Sequence, residues 1–158
     1  MVLASALPGN LYRIMFLLHI SAVVVAFAPM VIGPVLMAQT KADGESSLMQ
    51  TAKHMAANGR RIHFPALILI GLFGLGMVFS SKPEHSDEAL FGFDQTWVSL
   101  ALLVWIVLCG VVSGMIMPGE RKLATGDLEA EKKVALGGQI ATVLFLVMLY
   151  LMIWKPGL

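Results

Sequence analysis

The chain has 158 residues, of which 58% are hydrophobic and only 13% charged, and its formal net charge is +1. A soluble domain carries about 25% charged residues, so this composition excludes an ordinary soluble protein, and the near-neutral charge gives no reason to expect a nucleic-acid partner. The single cysteine, Cys109, excludes an intramolecular disulfide and any metal site made of several cysteines.

Four apolar segments are long enough to cross a bilayer, which takes roughly 17–25 residues. They cover residues 11–37, 64–80, 97–117 and 135–154. None of them contains Asp, Glu or Lys, and Arg13 at the edge of the first segment is their only Arg. The sequence therefore predicts a single all-α domain over residues 1–158, built as a bundle of four transmembrane helices.

The first segment carries one ionisable residue in its interior, His19, and two prolines further along, Pro29 and Pro34. It is too long for the apolar part of a signal peptide, and no strongly basic stretch precedes it, so we expect it to be retained as a helix. The prolines should kink its second half. On a helical projection His19 shares a face with small residues and with methionines, among them Met15.

The loop at residues 38–63 opens with turn-forming residues and continues with a capping-box pair, Ser47 and Gln50. This pattern predicts a short helix that ends at Asn58, where an Asn-Gly pair can stop it. The second span should begin just after that break. Pro65 would then stand in its first turn, where the missing N–H costs nothing.

The loop at residues 118–134 begins at Pro118, and we expect the third span to end there. A short helix is predicted from about Asp127, supported by a Glu129–Lys133 pair four residues apart. It should run directly into the fourth span.

Lys and Arg are distributed unevenly, because loops 38–63 and 118–134 hold eight of the eleven. The positive-inside rule then predicts that both loops are cytoplasmic and that both termini lie outside. Aromatic residues fall at the opposite, outer boundary, as expected for headgroup-level side chains. They are Tyr12, Phe91, Phe93, Trp97, Tyr150 and Trp154. We therefore expect a multi-pass protein of a bacterial inner membrane.

Small residues in the spans indicate close helix packing, which drives association in lipid. The third span has a GxxxG pair, Gly110 and Gly114, and the second span is rich in glycine. Packing within the chain is the plainer interpretation. A homo-oligomer or a membrane-protein partner, in contact through Gly110 and Gly114, is the alternative.

An ionisable residue inside a span is a functional candidate, and three interpretations of His19 are open. It could hydrogen-bond a polar side chain of a neighbouring helix, such as Gln139, Thr142 or a serine. It could be the axial ligand of a five-coordinate haem. It could also bind Cu(I) together with Met15, one turn away, because thioether and imidazole suit that ion.

Other histidines do not complete a site with His19. His63 stands at the start of the second span, at a depth that differs by roughly 20 Å, so a bis-histidine haem is not expected. The external loop holds four groups that could bind a divalent ion weakly, although a solvated acidic loop is the simpler interpretation. They are Glu84, His85, Asp87 and Glu88.

Several short motifs occur in a recognisable order. A histidine in the first span and Pro34 near its end precede "RRIHFP" at residues 60–65, "TWVSLALLVW" and "PGERKL" in the third unit, and "WKP" at residues 154–156. With these motifs the chain resembles a family of predicted bacterial integral membrane proteins of unknown function. More distantly it is similar to HemJ-type protoporphyrinogen oxidases and CopD-type copper-resistance proteins.

The HemJ resemblance implies a haem ligand at His19. The chain departs from that family at Val35, where the family has an arginine, and in the third span, which lacks the family's lysine. The resemblance therefore implies a haem site rather than oxidase activity.

No Ser-His-Asp set, phosphate-binding loop or pair of carboxylates occurs in the spans. The leading hypothesis is thus a non-catalytic accessory or scaffold subunit with lipid or protein partners. The alternatives are a haem-binding redox protein that uses His19 and a copper-handling protein that uses Met15 and His19.

Overall fold

The computed structural model describes residues 9–82 and 89–157, and these residues are mostly helical. They form four long helices, which we number in chain order as α1 (Asn10–Ala42), α2 (Glu45–Phe79), α3 (Thr96–Ala124) and α4 (Ala130–Trp154). Each is long and apolar enough to cross a membrane. The prediction of an all-α protein with four candidate spans is therefore confirmed.

Helix α2 joins the predicted loop helix and the second span into one element of 35 residues. At 1.5 Å per residue it is about 52 Å long, well beyond the ~30 Å of a bilayer core. The predicted break at Asn58 is therefore wrong. The predicted capping box is wrong as well, because the helix begins after Gly44, whose φ of +112° ends the preceding turn.

A wide π-turn at Gly59–His63 carries the helix past the expected break. In it the N–H of Phe64 donates to the carbonyl of Gly59, five residues back. Pro65 follows at once, and a proline ring in an ordinary α-helix collides with the carbonyl four residues earlier. The wider turn relieves that crowding, so the helix continues where the sequence suggests a stop.

Helix α3 also contains a π-turn ahead of a proline. A π-turn at Val112–Ile116 stands directly before Pro118, and the N–H of Met117 donates to the carbonyl of Val112. The helix therefore continues to Ala124, past the position at Pro118 where the sequence predicts the end of the third span. About two further turns of helix, residues 118–124, belong to the bundle instead of to a loop, and Glu120 is among them.

The connection between α3 and α4 is only five residues long, 125–129, and it turns at Gly126 with φ +96°. The predicted Glu129–Lys133 pair is wrong, because Glu129 meets Lys132 at 3.4 Å instead. Both side chains of that pair are more than 80% exposed, so it contributes little to stability. Helix α4 then begins at Ala130, three residues after the expected start.

The helices pack as two antiparallel pairs, α1 against α2 and α3 against α4. Helix α2 also meets α3, whereas α1 and α4 barely touch. We call the end formed by residues 38–63 and 118–134 the basic end. The main core lies between the pairs and consists of Ala22, Leu67, Ile70, Leu108 and Ala141. Many other large apolar side chains are exposed, as expected of helices that face lipid.

The opposite end, which we call the aromatic end, is closed by ring contacts. The Phe91 ring lies 6.2 Å from that of Tyr12 and 5.4 Å from that of Trp97, centroid to centroid. The ammonium of Lys155 stands 4.4 Å above the Phe91 ring. The start of α1 and the end of α4 therefore lie at the same end of the bundle.

Glycines of α2 make room for side chains of both neighbouring helices. The position of a Cβ at Gly71 is occupied by the Trp105 indole of α3, and that at Gly76 lies 3.0 Å from Met15 Sδ of α1. Packing within the chain therefore explains these glycines. By contrast, nothing lies within 4 Å of a Cβ at Gly110 or Gly114. That face stays a predicted contact with a second copy or another membrane protein.

Gly71→Ala places a methyl group against the Trp105 indole, so we expect it to destabilise the bundle by about 1–3 kcal/mol, the usual cost of overpacking. Gly110→Ala is the matched control, because its Cβ meets open space and alanine is the better helix former. Denaturant unfolding of both variants in mixed micelles measures the difference. Equal stabilities would contradict the packing of Trp105 on α2.

Candidate functional site

Two cavities at different depths concern the candidate residues. The larger, about 730 Å³, lies toward the basic end, and we call it the proline cavity because Pro29 and Pro34 of α1 line it. The smaller, about 190 Å³, lies toward the aromatic end, and we call it the histidine pocket because His19 lines it.

His19 is held against α2. Its side chain is buried, and Nδ1 donates to the carbonyl of Ile70 at 2.9 Å. The Gly74 backbone makes room for the ring, since a Cβ there would stand 3.4 Å from Cε1. Because a carbonyl only accepts, the proton is on Nδ1, and Nε2 is left with a free lone pair.

The expected side-chain partners of His19 are therefore wrong. Thr142 donates to the carbonyl of Gly138 in its own helix, as Ser113 does to that of Cys109. A backbone carbonyl is the partner instead, an acceptor that no sequence pattern marks. An Nδ1–H anchored in this way is also the usual second contact of a metal-binding histidine.

The histidine pocket limits what the free Nε2 could bind. Its 190 Å³ is below the ~300–1,000 Å³ typical of small-molecule sites, so a porphyrin does not fit unless the helices move apart. Met15 does not line the pocket, because its sulfur packs on Gly76. The structure thus places His19 at a small pocket and does not bring Met15 into it.

His63 forms an interhelical hydrogen bond that the sequence does not predict. Its Nδ1 donates to the carbonyl of Val25 at 2.8 Å. In a regular helix that carbonyl would accept from residue 29, but Pro29 has no N–H. A histidine of α2 therefore supplies the hydrogen bond that a proline of α1 removes. The sequence shows a proline in the first span and a histidine at the start of the second. It does not show that the two helices pack so that His63 lies beside Val25.

The two histidine contacts are closer in depth than expected. His63 contacts Val25, which lies six residues after His19 on α1, about 9 Å along the helix. The depth difference expected from the sequence is roughly 20 Å. The difference arises because α2 is continuous through His63. Each Nδ1 donates to a different carbonyl, that of Ile70 for His19 and that of Val25 for His63.

A third ring N–H completes this set of interhelical contacts. Trp105 Nε1 of α3 donates to the carbonyl of Leu67 on α2 at 2.8 Å. Within residues 9–82 and 89–157, no group of three His, Cys, Asp or Glu side chains is placed to hold a metal ion. The predicted acidic cluster of the external loop lies outside the described residues.

The proline cavity opens toward the side of the bundle. Ile32 and Leu36 of α1 line it and are 55% and 40% exposed, and α1 makes few contacts with α4. The cavity forms because many of the residues that α1 and α4 turn toward it have small side chains or none. They are Ala26, Ala28, Gly33, Ala135, Gly138 and Ala141. The volume is within the range of sites that bury a small molecule.

One carboxylate of the proline cavity is buried. Glu120 is only 6% exposed and lines the cavity, with Oε2 standing 3.4 Å from the position of a Cβ at Gly59. In the described part of the chain no hydrogen bond or ion pair reaches it. The other carboxylate, Glu131, is paired with Lys41 at 2.8 Å and spans from α4 to α1 at the basic end.

Glu120 is not predictable as a site residue from the sequence, because Pro118 indicates the start of a loop there. The π-turn that keeps the helix intact is what brings the carboxylate inside. Pro34 adds a second polar group, because it leaves the carbonyl of Met30, another lining residue, without its usual donor.

Comparison of the chain with protein-family models, with curated proteins and with solved structures finds no match. The resemblance carried by the short sequence motifs therefore stays a prediction. The geometry itself offers two sites of different chemistry. One is a small pocket with a free imidazole nitrogen, and the other is a large apolar cavity with a buried carboxylate.

His63→Ala leaves the Val25 carbonyl without a donor, and we expect it to destabilise the bundle by about 1 kcal/mol or more. Pro29→Ala restores the N–H of residue 29, so His63→Ala should cost markedly less in that background. A double-mutant cycle, measured by unfolding in mixed micelles, gives this coupling. His54→Ala, an exposed histidine of the same helix, is the control. Additive effects of the two substitutions would contradict the exchange of donors.

Proposed function

We propose that this chain is a non-enzymatic accessory protein of a bacterial inner membrane and that it holds one amphiphilic molecule in the proline cavity. The observation that carries this proposal is the cavity itself, about 730 Å³ in volume and bordered by exposed residues of α1. Helices packed only for scaffolding would close such a space, because folded proteins rarely contain large voids.

The character of the cavity wall favours an amphiphile. Most of the lining is Ala, Met, Leu, Val and Ile, which suits an alkyl chain or a ring system. The charged groups of the lining, Glu120 and the Lys41–Glu131 pair, stand toward the basic end, while His63, Gln139 and Thr142 are polar residues deeper in the wall. A molecule with one apolar part and one polar part matches this distribution.

The route of entry follows from the proposed topology. If the basic loops are cytoplasmic, as the positive-inside rule predicts, the cavity lies in the inner half of the membrane. Its side opening between α1 and α4 would then face the acyl chains of the inner leaflet. An amphiphile could enter directly from the lipid and keep its polar part near the cytoplasmic surface.

Gly138→Phe tests the cavity as a binding site. Gly138 lines the cavity and has nothing within 4 Å of its Cβ position, so a phenyl ring there should fill the space without displacing a neighbour. We expect the wild type to retain one amphiphile per chain in native mass spectrometry after mild extraction. Gly138→Phe should retain none.

Gly110→Phe is the matched control, because Gly110 also meets open space but does not line the cavity. It should keep the bound molecule. An empty wild type, or the same bound mass on Gly138→Phe as on the wild type, would overturn the proposal.

The second candidate function is binding of haem or copper at His19. The observation in its favour is the free Nε2 on a ring whose Nδ1–H is fixed by Ile70. Haem would require the pocket to widen. Copper would use a smaller space, with Met15 turned away from Gly76.

The absorption spectrum and the metal content of the purified protein test this candidate. Haem binding predicts a Soret band that His19→Ala abolishes, while the exposed His54→Ala leaves it unchanged. Copper binding predicts bound copper that is lost in the Met15→Ala/His19→Ala double variant. A colourless, copper-free wild type would contradict both.

A further inference from the structure

We propose that Glu120 makes the proline cavity selective for a positively charged amphiphile, namely an ammonium group joined to an apolar body. This inference rests on the proposed function, since it names the chemistry of the molecule held there. It is carried by two observations, a large cavity and, in its wall, Glu120, a residue that is 6% exposed and whose carboxylate has no hydrogen bond or ion pair within the described residues.

The first step is the environment of the carboxylate. Basic residues adjoin Glu120 in sequence and on α2, but Arg60, Arg61, Arg121 and Lys122 are all exposed. None of them forms an ion pair with Glu120 within the described residues. Lys41, which lines the same cavity, is paired with Glu131 instead.

The second step is the contrast with the other acids of the same end. Glu131 is paired with Lys41, and Glu129 with Lys132. Both are more exposed than Glu120, so water could hydrate these two carboxylates even without an ion pair. Asp43, Glu45 and Asp127 have no ion pair within the described residues either, but all three are exposed. Glu120 is the most buried acid of this end, and its carboxylate is either protonated or charged with a cation beside it.

The third step is the fit of an ammonium group. A cation in the proline cavity would meet the Glu120 carboxylate and the Met30 carbonyl, which Pro34 leaves without its usual donor. Both are acceptors, and an ammonium group offers only donors. An anionic head would instead face the carboxylate directly, and a neutral hydroxyl could donate one hydrogen bond to it but would leave its charge uncompensated. The apolar walls accommodate the body of the molecule.

Two sources supply this chemistry. One is the headgroup of an aminophospholipid such as phosphatidylethanolamine, taken from the adjoining leaflet. The other is a free lipophilic amine.

A competition experiment separates the charge preference from binding as such. The purified protein in a neutral detergent receives equal amounts of hexadecylamine, hexadecanol and hexadecanoic acid, and the retained probes are extracted and quantified. The common chain cancels partitioning into micelles. We expect hexadecylamine to exceed hexadecanol by about tenfold or more, as a charge-assisted hydrogen bond predicts, and hexadecanoic acid to be retained least.

Glu120→Gln should abolish the preference while hexadecanol is still retained. Glu129→Gln, which removes the same charge at an exposed position outside the cavity, should keep it. Equal retention of amine and alcohol by the wild type would overturn the role of Glu120 and leave the proposed function standing. Retention of none of the three probes would overturn both. The wild-type comparison stands even where Glu120→Gln does not fold.

The source is read from the lipids that copurify with the wild type. Enrichment of phosphatidylethanolamine over phosphatidylglycerol, lost in Glu120→Gln, identifies the headgroup. Selective retention of hexadecylamine without such enrichment identifies a free amine.

Discussion

A backbone carbonyl that loses its helical donor inside a membrane needs another, because lipid offers none. Pro29 creates this need at Val25, and His63 of the neighbouring helix meets it at 2.8 Å. The contact fixes α1 against α2 near the middle of the bundle. His19 fixes the same pair about two turns away through Ile70. The position of α1, and with it the shape of the space beside α4, depends on these two rings.

The two ends of the bundle differ in how closely α1 packs against its neighbours. Toward the aromatic end, glycines of α2 admit Met15, His19 and Trp105, and the space that remains is small. Toward the basic end, α1 contains its two prolines and faces small residues of α4, and a large cavity is left. The small pocket and the large cavity thus lie toward opposite ends of the same four helices.

The four spans could be predicted because the length and polarity of an apolar run are properties of the sequence itself. The helix ends were harder to predict. Pro65 and Pro118 look like helix boundaries, and only the π-turns ahead of them keep α2 and α3 continuous. Such a turn is a choice of hydrogen-bond register, which local sequence does not specify.

The candidate sites were predicted unevenly for the same reason. His19 could be identified as an ionisable residue in an apolar run, although its partner, a backbone carbonyl, could not. Glu120 was assigned to solvent because the helix was expected to end before it. The proline cavity exists because α1 and α4, which are distant in sequence, make few contacts with each other. A sequence pattern does not predict which helices stay apart.

An experimental density map of the protein in lipid nanodiscs would show directly whether the proline cavity is occupied. We expect an elongated non-protein density between α1 and α4, with one end within hydrogen-bond distance of the Glu120 carboxylate. We also expect His63 to stay in contact with the Val25 carbonyl. A map in which α1 and α4 close together, or in which the cavity is empty and Glu120 pairs with Arg60 or Arg61, would contradict these expectations.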